Sequence, residues 1–267
     1  MNRIQKTFRN NKKKVFIAYV VCGDPDIRTT IKIMNTLVDS GVDLIELGVP
    51  FTDPIADGPV IQKSIERSLK KNTSLNDVFD VCTKFREQNN STPLVLMGYL
   101  NPIENLGYKK FSTTAVRSGV DGVLVVDSPP EESSALSSAL QKNNICNIHL
   151  ASPTTSKSRL EAIVKSSRGY LYYVSLKGIT GSKISNIKSI EQSISMIKKI
   201  NKSDLPIVVG FGIKDKQTAK KISQICDGVI IGSSFVKIIE ENLHNKQRMV
   251  NNINKYAEKI KTSIVNK

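Results

Sequence analysis

Ser40-Gly41-Val42-Asp43-Leu44-Ile45-Glu46-Leu47-Gly48 is the stretch from which the fold is read. Ser40-Gly41 is a helix stop, because glycine takes the left-handed conformation that closes a helix without a side-chain penalty. Val42-Asp43 turns the chain into Leu44–Gly48, a short run that is apolar on both faces apart from one Glu, as in a buried parallel strand. The unit echoes elsewhere. Ser118-Gly119-Val120-Asp121 leads into another apolar run, and Cys226-Asp227-Gly228-Val229 does something similar. Outward from these, strand-like runs occupy Val15–Cys22, Leu44–Gly48, Leu94–Tyr99, Gly122–Val126, Asn147–Leu150, Leu171–Ser175, Ile207–Gly210 and Gly228–Ile231. Amphipathic stretches alternate with them: Ile27–Ser40, Ser74–Asn89 with a capping-box pattern at Ser74 and Asp77, Phe111–Ser118, Glu131–Asn143, Ser158–Ser166, Ile190–Ile200, Lys216–Ile225 and Lys246–Ile264. A further helix is expected at Arg3–Asn10. About eight strand–helix alternations in 267 residues predict an α/β chain, a (β/α)8 TIM barrel forming a single domain over residues 1–267 with an extra N-terminal helix. A doubly wound open sheet is the alternative, but Gly23-Asp24-Pro25-Asp26 after the first strand is no dinucleotide fingerprint.

Composition narrows the function classes. The apolar runs are strand-sized, too short for a membrane span, and Met1–Asn10 lacks the apolar segment of a signal peptide, so a cytoplasmic protein is expected. Cys22, Cys82, Cys146 and Cys226 are far apart and read as reduced core thiols. Net charge is +15, yet the lysines are dispersed and no aromatic-basic RNA-binding motif is present. A solvated basic surface that attracts an anionic substrate fits better than nucleic-acid binding. No His/Cys/carboxylate cluster has metal-ligand spacing, so no metal is expected.

In such a barrel the active site lies where strands end and the following loops begin. Glu46 stands on the same strand face as Leu44. An ionised carboxylate among apolar neighbours is costly, so it is either held by a basic neighbour or raised in pKa for proton transfer. The loop Val49 to Pro59 is long and rich in Pro and Asp. Its Asp57 is either a second catalytic carboxylate or the N-cap of a helix starting near Pro59. Gly210-Phe211-Gly212-Ile213 follows the seventh strand, Gly232-Ser233-Ser234 follows the eighth, and a short helix-like piece, Phe235–Glu240, comes next. Together with Gly178-Ile179-Thr180-Gly181 after the sixth strand, these loops predict a phosphate site. His149 reads as a packed core residue, His244 as solvated, and Lys177 as a mobile surface lysine.

Glu46-Leu47-Gly48-Val49-Pro50-Phe51-Thr52-Asp53-Pro54-Ile55-Ala56-Asp57-Gly58-Pro59 resembles the signature of tryptophan synthase alpha subunits. Gly23-Asp24-Pro25, Met97-Gly98-Tyr99-Leu100-Asn101-Pro102, Asp127-Ser128-Pro129-Pro130-Glu131-Glu132, Gly178-Ile179-Thr180-Gly181, Gly210-Phe211-Gly212-Ile213 and Gly232-Ser233 match in order. The resemblance implies a lyase that splits indole-3-glycerol phosphate into indole and glyceraldehyde 3-phosphate by a retro-aldol reaction. It implies Glu46 as the acid/base, Asp57 as acceptor for the indole N–H, and Tyr172 as an active-site tyrosine. Thr180, Gly181, Gly210, Phe211, Gly212, Ile213, Gly232 and Ser233 would hold the phosphate. Tyr19, Met97, Tyr99 and Val126 would wall the indole, with core packing as the alternative for these four. It further implies no cofactor in this chain and a pyridoxal-phosphate beta subunit as partner in an α2β2 complex, contacted by the loops after strands two and six. Departures from the family's usual pattern are Tyr19 where phenylalanine is common, Leu176-Lys177 where an arginine can stand, and Ser128-Pro129-Pro130. Another phosphate-binding barrel enzyme, or a non-catalytic partner of the beta subunit, are the competing readings. The Glu46–Pro59 stretch opposes the first, and the presence of both carboxylates opposes the second.

Overall fold

The computed structural model describes residues 1–10, 14–175, 187–201, 204–210, 212–213 and 215–265. The chain runs α1 (Arg3–Asn10), β1 (Val15–Val21), α2 (Ile27–Asp39), β2 (Leu44–Gly48), α3 (Pro59–Leu69), α4 (Leu75–Gln88), β3 (Leu94–Gly98), α5 (Leu100–Leu106), α6 (Tyr108–Arg117) and β4 (Gly122–Val125). It continues with α7 (Ser134–Lys142), β5 (Cys146–Ile148), β6 (Leu150–Ala151), α8 (Lys157–Ser166), β7 (Leu171–Val174), α9 (Ile187–Ile200), β8 (Ile207–Gly210), α10 (Lys216–Ile225), β9 (Gly228–Ile231), α11 (Ser233–Glu241) and α12 (Lys246–Val265).

All strand pairs are parallel, in the order β5-β4-β3-β2-β1-β9-β8-β7-β6. β5 and β6 are two pieces of one strand broken at His149: β5 pairs with β4 and β6 with β7. Counted as one, they make this an eight-stranded TIM barrel. The expected strand Asn147–Leu150 is therefore two short ones.

The sequence echo has a physical meaning. Asp43, Asp121 and Asp227 each enter a strand and bind the neighbouring one twice. The Asp43 N–H donates to the Phe16 carbonyl, and an Asp43 carboxylate oxygen accepts from the Phe16 N–H at 2.7 Å. Asp121 does the same with Leu94, and Asp227 with Ile207. Each aspartate thus pins the register where two parallel strands begin.

Around the sheet, helices bury one stripe each. α2 turns Ile33, Met34 and Leu37 fully inward, each contributing about 1.5–3 kcal/mol of transfer free energy. α12 closes the ring by packing on α2 and α10. α1 covers the floor of the barrel. Ile4 is fully buried, its Cδ1 lies 2.8 Å from where a Cβ on Gly122 would stand, and the Phe8 ring packs 5.9 Å from that of Tyr170.

The capping box at Ser74 and Asp77 is present. Strand ends differ by a residue: Cys22, Val126 and Ser175 still donate to neighbouring-strand carbonyls although the strands stop before them. α5 was not foreseen. Its Pro102 suggests a break, but in the first turn a proline removes an N–H that has no intrahelical acceptor anyway. α6, α7 and α11 begin at Tyr108, Ser134 and Ser233 rather than at Phe111, Glu131 and Phe235.

Candidate active site

Inward-facing side chains of alternate parity fill the barrel axis: Val15 and Ile17 on β1, Leu44 on β2, Val95 on β3, Ile230 on β9. Glu46 follows Leu44 on that face and is 0% exposed. Of the two readings of Glu46, the basic neighbour is not found among the described residues. The Tyr170 hydroxyl donates to Glu46 Oε1 at 2.5 Å, and Oε2 has no hydrogen-bond partner among the described residues. Burial pushes the Glu46 carboxyl up to about 7, and the Tyr170 hydrogen bond opposes the rise. A group poised there exchanges protons in both directions near neutral pH. Tyr170 was missed in the sequence because it precedes the apolar run; its parity with Tyr172 was the available signal.

Asp57 lies in the loop between β2 and α3. It is not the helix cap: Gly58 holds that position and makes no side-chain cap bond. The Asp57 carboxylate instead accepts from the Tyr99 hydroxyl at 2.7 Å. That hydroxyl in turn accepts from the Ala56 N–H at 3.1 Å, and the Tyr99 ring packs 5.4 Å from Phe51. The Gln62 side-chain amide donates to the Asp57 carbonyl at 2.8 Å, tying the loop to α3. Burial raises the Asp57 carboxyl above the usual carboxylate range, with the Tyr99 hydrogen bond lowering it.

A cavity opens at the C-terminal ends of the strands. On its β2–β3 side stand Asp57, Ile61 and Met97, and on its β8–β9 side Gly212, Ile213, Gly232 and Ser233. Tyr19 and Tyr172 also line it, with Ile230. Each tyrosine lies over a glycine: a Cβ on Gly48 would stand 2.4 Å from the Tyr19 hydroxyl oxygen, and one on Gly210 would stand 2.3 Å from that of Tyr172. Any larger residue at either position would displace the ring.

The far side is suited to an anion. α11 starts at Ser233 with Gly232 as its N-cap, and no side chain caps it. Its first two amides, those of Ser233 and Ser234, have no hydrogen bond among the described residues and lie beside the cavity, at the positive end of the helix dipole. Gly212 has φ +75°, a left-handed backbone that favours glycine.

The structure thus brings together Asp57, Tyr172, Tyr19, Met97, Gly212, Ile213, Gly232 and Ser233 around one cavity; Glu46 does not line it but pairs in register with the lining Tyr19. Three expected site residues are placed differently. Tyr99 is not a cavity wall but stands behind Asp57. Gly210 serves as the notch for Tyr172. Val126 packs on the inner barrel and lines a separate recess with His149 and Ser128. Thr180, Gly181, Phe211, Leu176 and Lys177 lie outside the described residues. Ile61 and Ile230 were not anticipated; Ile230 had the inward parity of the last strand. His149 is buried as expected, held down to about 4 by burial and 3.2 Å from the Asn147 side-chain amide; His244 is exposed. All four cysteines are buried free thiols. No group of three or more His, Cys, Asp or Glu able to hold a metal is found among the described residues.

A family model described as tryptophan synthase alpha chain matches residues 5–265. The tryptophan synthase alpha chain of Nitrosomonas europaea is 50% identical over 245 residues, covering 91% of this chain and 88% of the relative. The crystal structure of tryptophan synthase subunit alpha from Legionella pneumophila superposes with a TM-score of 0.91 at 39% identity, covering 99% of this chain and 98% of that one. A structure of the tryptophan synthase α2β2 complex from Pyrococcus furiosus matches with a TM-score of 0.84 at 34% identity, covering 94% of this chain and 99% of that one. With a family model spanning nearly its whole length and a relative 50% identical over 245 residues, the chain belongs to the tryptophan synthase alpha chain family.

Proposed function

We propose that Glu46, Asp57 and Tyr172 carry out the alpha reaction, the cleavage of indole-3-glycerol phosphate to indole and glyceraldehyde 3-phosphate. The observation that carries this reading is a fully buried carboxyl, raised to about 7 and paired in register with the cavity-lining Tyr19, with a helix N-terminus that no side chain caps across the cavity. The phosphate binds at Gly212, Ile213, Gly232, Ser233 and the amides that open α11; the family resemblance adds Thr180, Gly181, Gly210 and Phe211 as its ligands. The indole lies against Met97, Ile61 and Tyr19, near Asp57; Tyr99 acts on it only through Asp57, and Val126 stays in the inner barrel.

Indole is a poor carbon leaving group until its C3 is protonated. Protonated Glu46 gives its proton to C3, and positive charge spreads onto the ring nitrogen. Asp57 accepts a hydrogen bond from that N–H and stabilises the charge. The resulting Glu46 carboxylate then takes the proton of the glycerol hydroxyl next to the bond to be broken. The O–H electron pair becomes the aldehyde C=O bond, the C–C pair returns to the indole ring, and Glu46 ends protonated again. Tyr172 orients the glycerol chain between the two ends.

The alpha reaction requires no cofactor; pyridoxal phosphate belongs to the beta subunit, the partner of this family in an α2β2 complex. No helix among the described residues is long and apolar enough to cross a membrane. We place the chain in the cytoplasm and read it as one domain. The test is indole release by the purified chain, with and without a beta subunit. Glu46→Gln is expected to abolish release while the protein stays folded; undiminished release would remove Glu46 from the mechanism.

A further inference from the structure

Tyr19 enters the site from β1, paired in register with Glu46 on β2. Its ring root is near Gly232, where an added Cβ would stand 3.1 Å from Tyr19 Cδ1. From there the ring reaches across to Gly48, two residues beyond Glu46 on the same inward parity, and ends with its hydroxyl over that glycine. The ring therefore spans the cavity floor from the anion-binding side to the acid/base strand, and its one polar atom is at the acid/base end.

Glu46 has Tyr170, and Asp57 has Tyr99. The Tyr19 side chain lines the cavity and is 7% exposed, and no hydrogen bond to its hydroxyl is found among the described residues. A buried hydroxyl without a protein partner in a ligand cavity is a donor kept for the ligand. Burial, then the nearby Asp57, Tyr99, Glu46 and Tyr172, hold the phenol far above its ordinary range, so it stays protonated and able to donate.

We propose that the Tyr19 hydroxyl donates a hydrogen bond to the glycerol oxygen that becomes the aldehyde oxygen of the product. This rests on the assignment of the alpha reaction above. When Glu46 removes the proton from that oxygen, negative charge builds there before the C–C bond gives way. A fixed neutral donor stabilises that charge without itself losing its proton. The hydroxyl lies over Gly48, on the strand that carries Glu46, so the donor stands on the side of the cavity from which Glu46 acts. A phenylalanine at this position supplies the same wall and lacks the donor.

Tyr19→Phe removes one oxygen and leaves the ring and both glycine notches in place. Three quantities decide: kcat for indole release, the affinity for indole-3-propanol phosphate, which lacks the reacting hydroxyl, and the melting temperature. The expected result is a kcat about ten- to a hundredfold lower, with unchanged affinity for the deoxy analogue and unchanged melting. A kcat within twofold of the unmodified chain would overturn the proposal. So would a parallel loss of kcat and of affinity for the analogue, because the hydroxyl would then serve binding elsewhere. An unmodified chain that releases no indole would instead overturn the assigned reaction, so the two failures are distinguishable.

Discussion

Glu46 concentrates a conflict between stability and catalysis. Its carboxyl moves from 4.5 to about 7 on folding. The folded state thus holds this proton more tightly than the unfolded chain does. The contribution is fully favourable below pH 4.5, declines as pH rises through the interval, and levels off above 7. At ~1.4 kcal/mol per unit, ionised Glu46 costs the fold on the order of 3 kcal/mol at pH 8. Glu46→Gln should therefore be inactive yet more stable than the unmodified chain at pH 8, with the gap closing toward pH 5; denaturant melts at both pH values check this. Tyr170→Phe leaves both Glu46 oxygens without a donor. It should cost about 1–3 kcal/mol in the same melts and move the activity inflection to higher pH, because the bond that opposes the rise is gone. Glu46 was legible in the sequence since a charge inside an apolar strand needs a reason. Tyr170 was not read, since only its parity with Tyr172 hinted at an inward place and its contact with Glu46 spans 124 positions.

The elements that carry the site are tied together away from it. Arg67 on α3 donates twice to the Asp24 carboxylate after β1, at 2.8 Å each, and approaches Glu240 on α11 at 3.6 Å. This one guanidinium links the helix behind the Asp57 loop to the helix that faces the anion. The Asp24 side chain is fully buried, so Arg67→Ala strands a charge and should cost about 3–5 kcal/mol. Arg67→Lys should recover only part, because an ammonium lacks the bidentate fork; thermal unfolding of both variants measures the difference. The helix–strand alternation behind these elements was readable because parallel strands leave apolar runs. The aspartates at strand entry were readable as an echo before their role was. What escaped was where tertiary geometry overrules pattern: the break at His149, which lets two strand pieces close one barrel, and α5, hidden by its proline.

At the scale of the whole molecule, the same barrel end must hold a substrate and meet a second subunit. Ile55, in the Asp57 loop, is 82% exposed, the most exposed large hydrophobic side chain among the described residues. Family membership supplies the beta subunit that would cover it. Ile55→Asp should leave the melting of the free chain within about 0.5 kcal/mol and weaken association with a beta subunit at least tenfold, as read by calorimetric titration. The partner was legible only through the resemblance, since no composition or periodicity points to it. The net charge of +15 suits an anionic substrate but does not choose one.

The central claim is that a single buried carboxyl near pH 7 moves both protons of the cleavage. The most direct measurement is the pH dependence of kcat/KM for indole formation from pH 5 to 9. The account predicts a plateau at low pH and a fall through about 7, because protonated Glu46 starts the reaction. A profile that is flat across that range, or one that rises with pH through it, would contradict it.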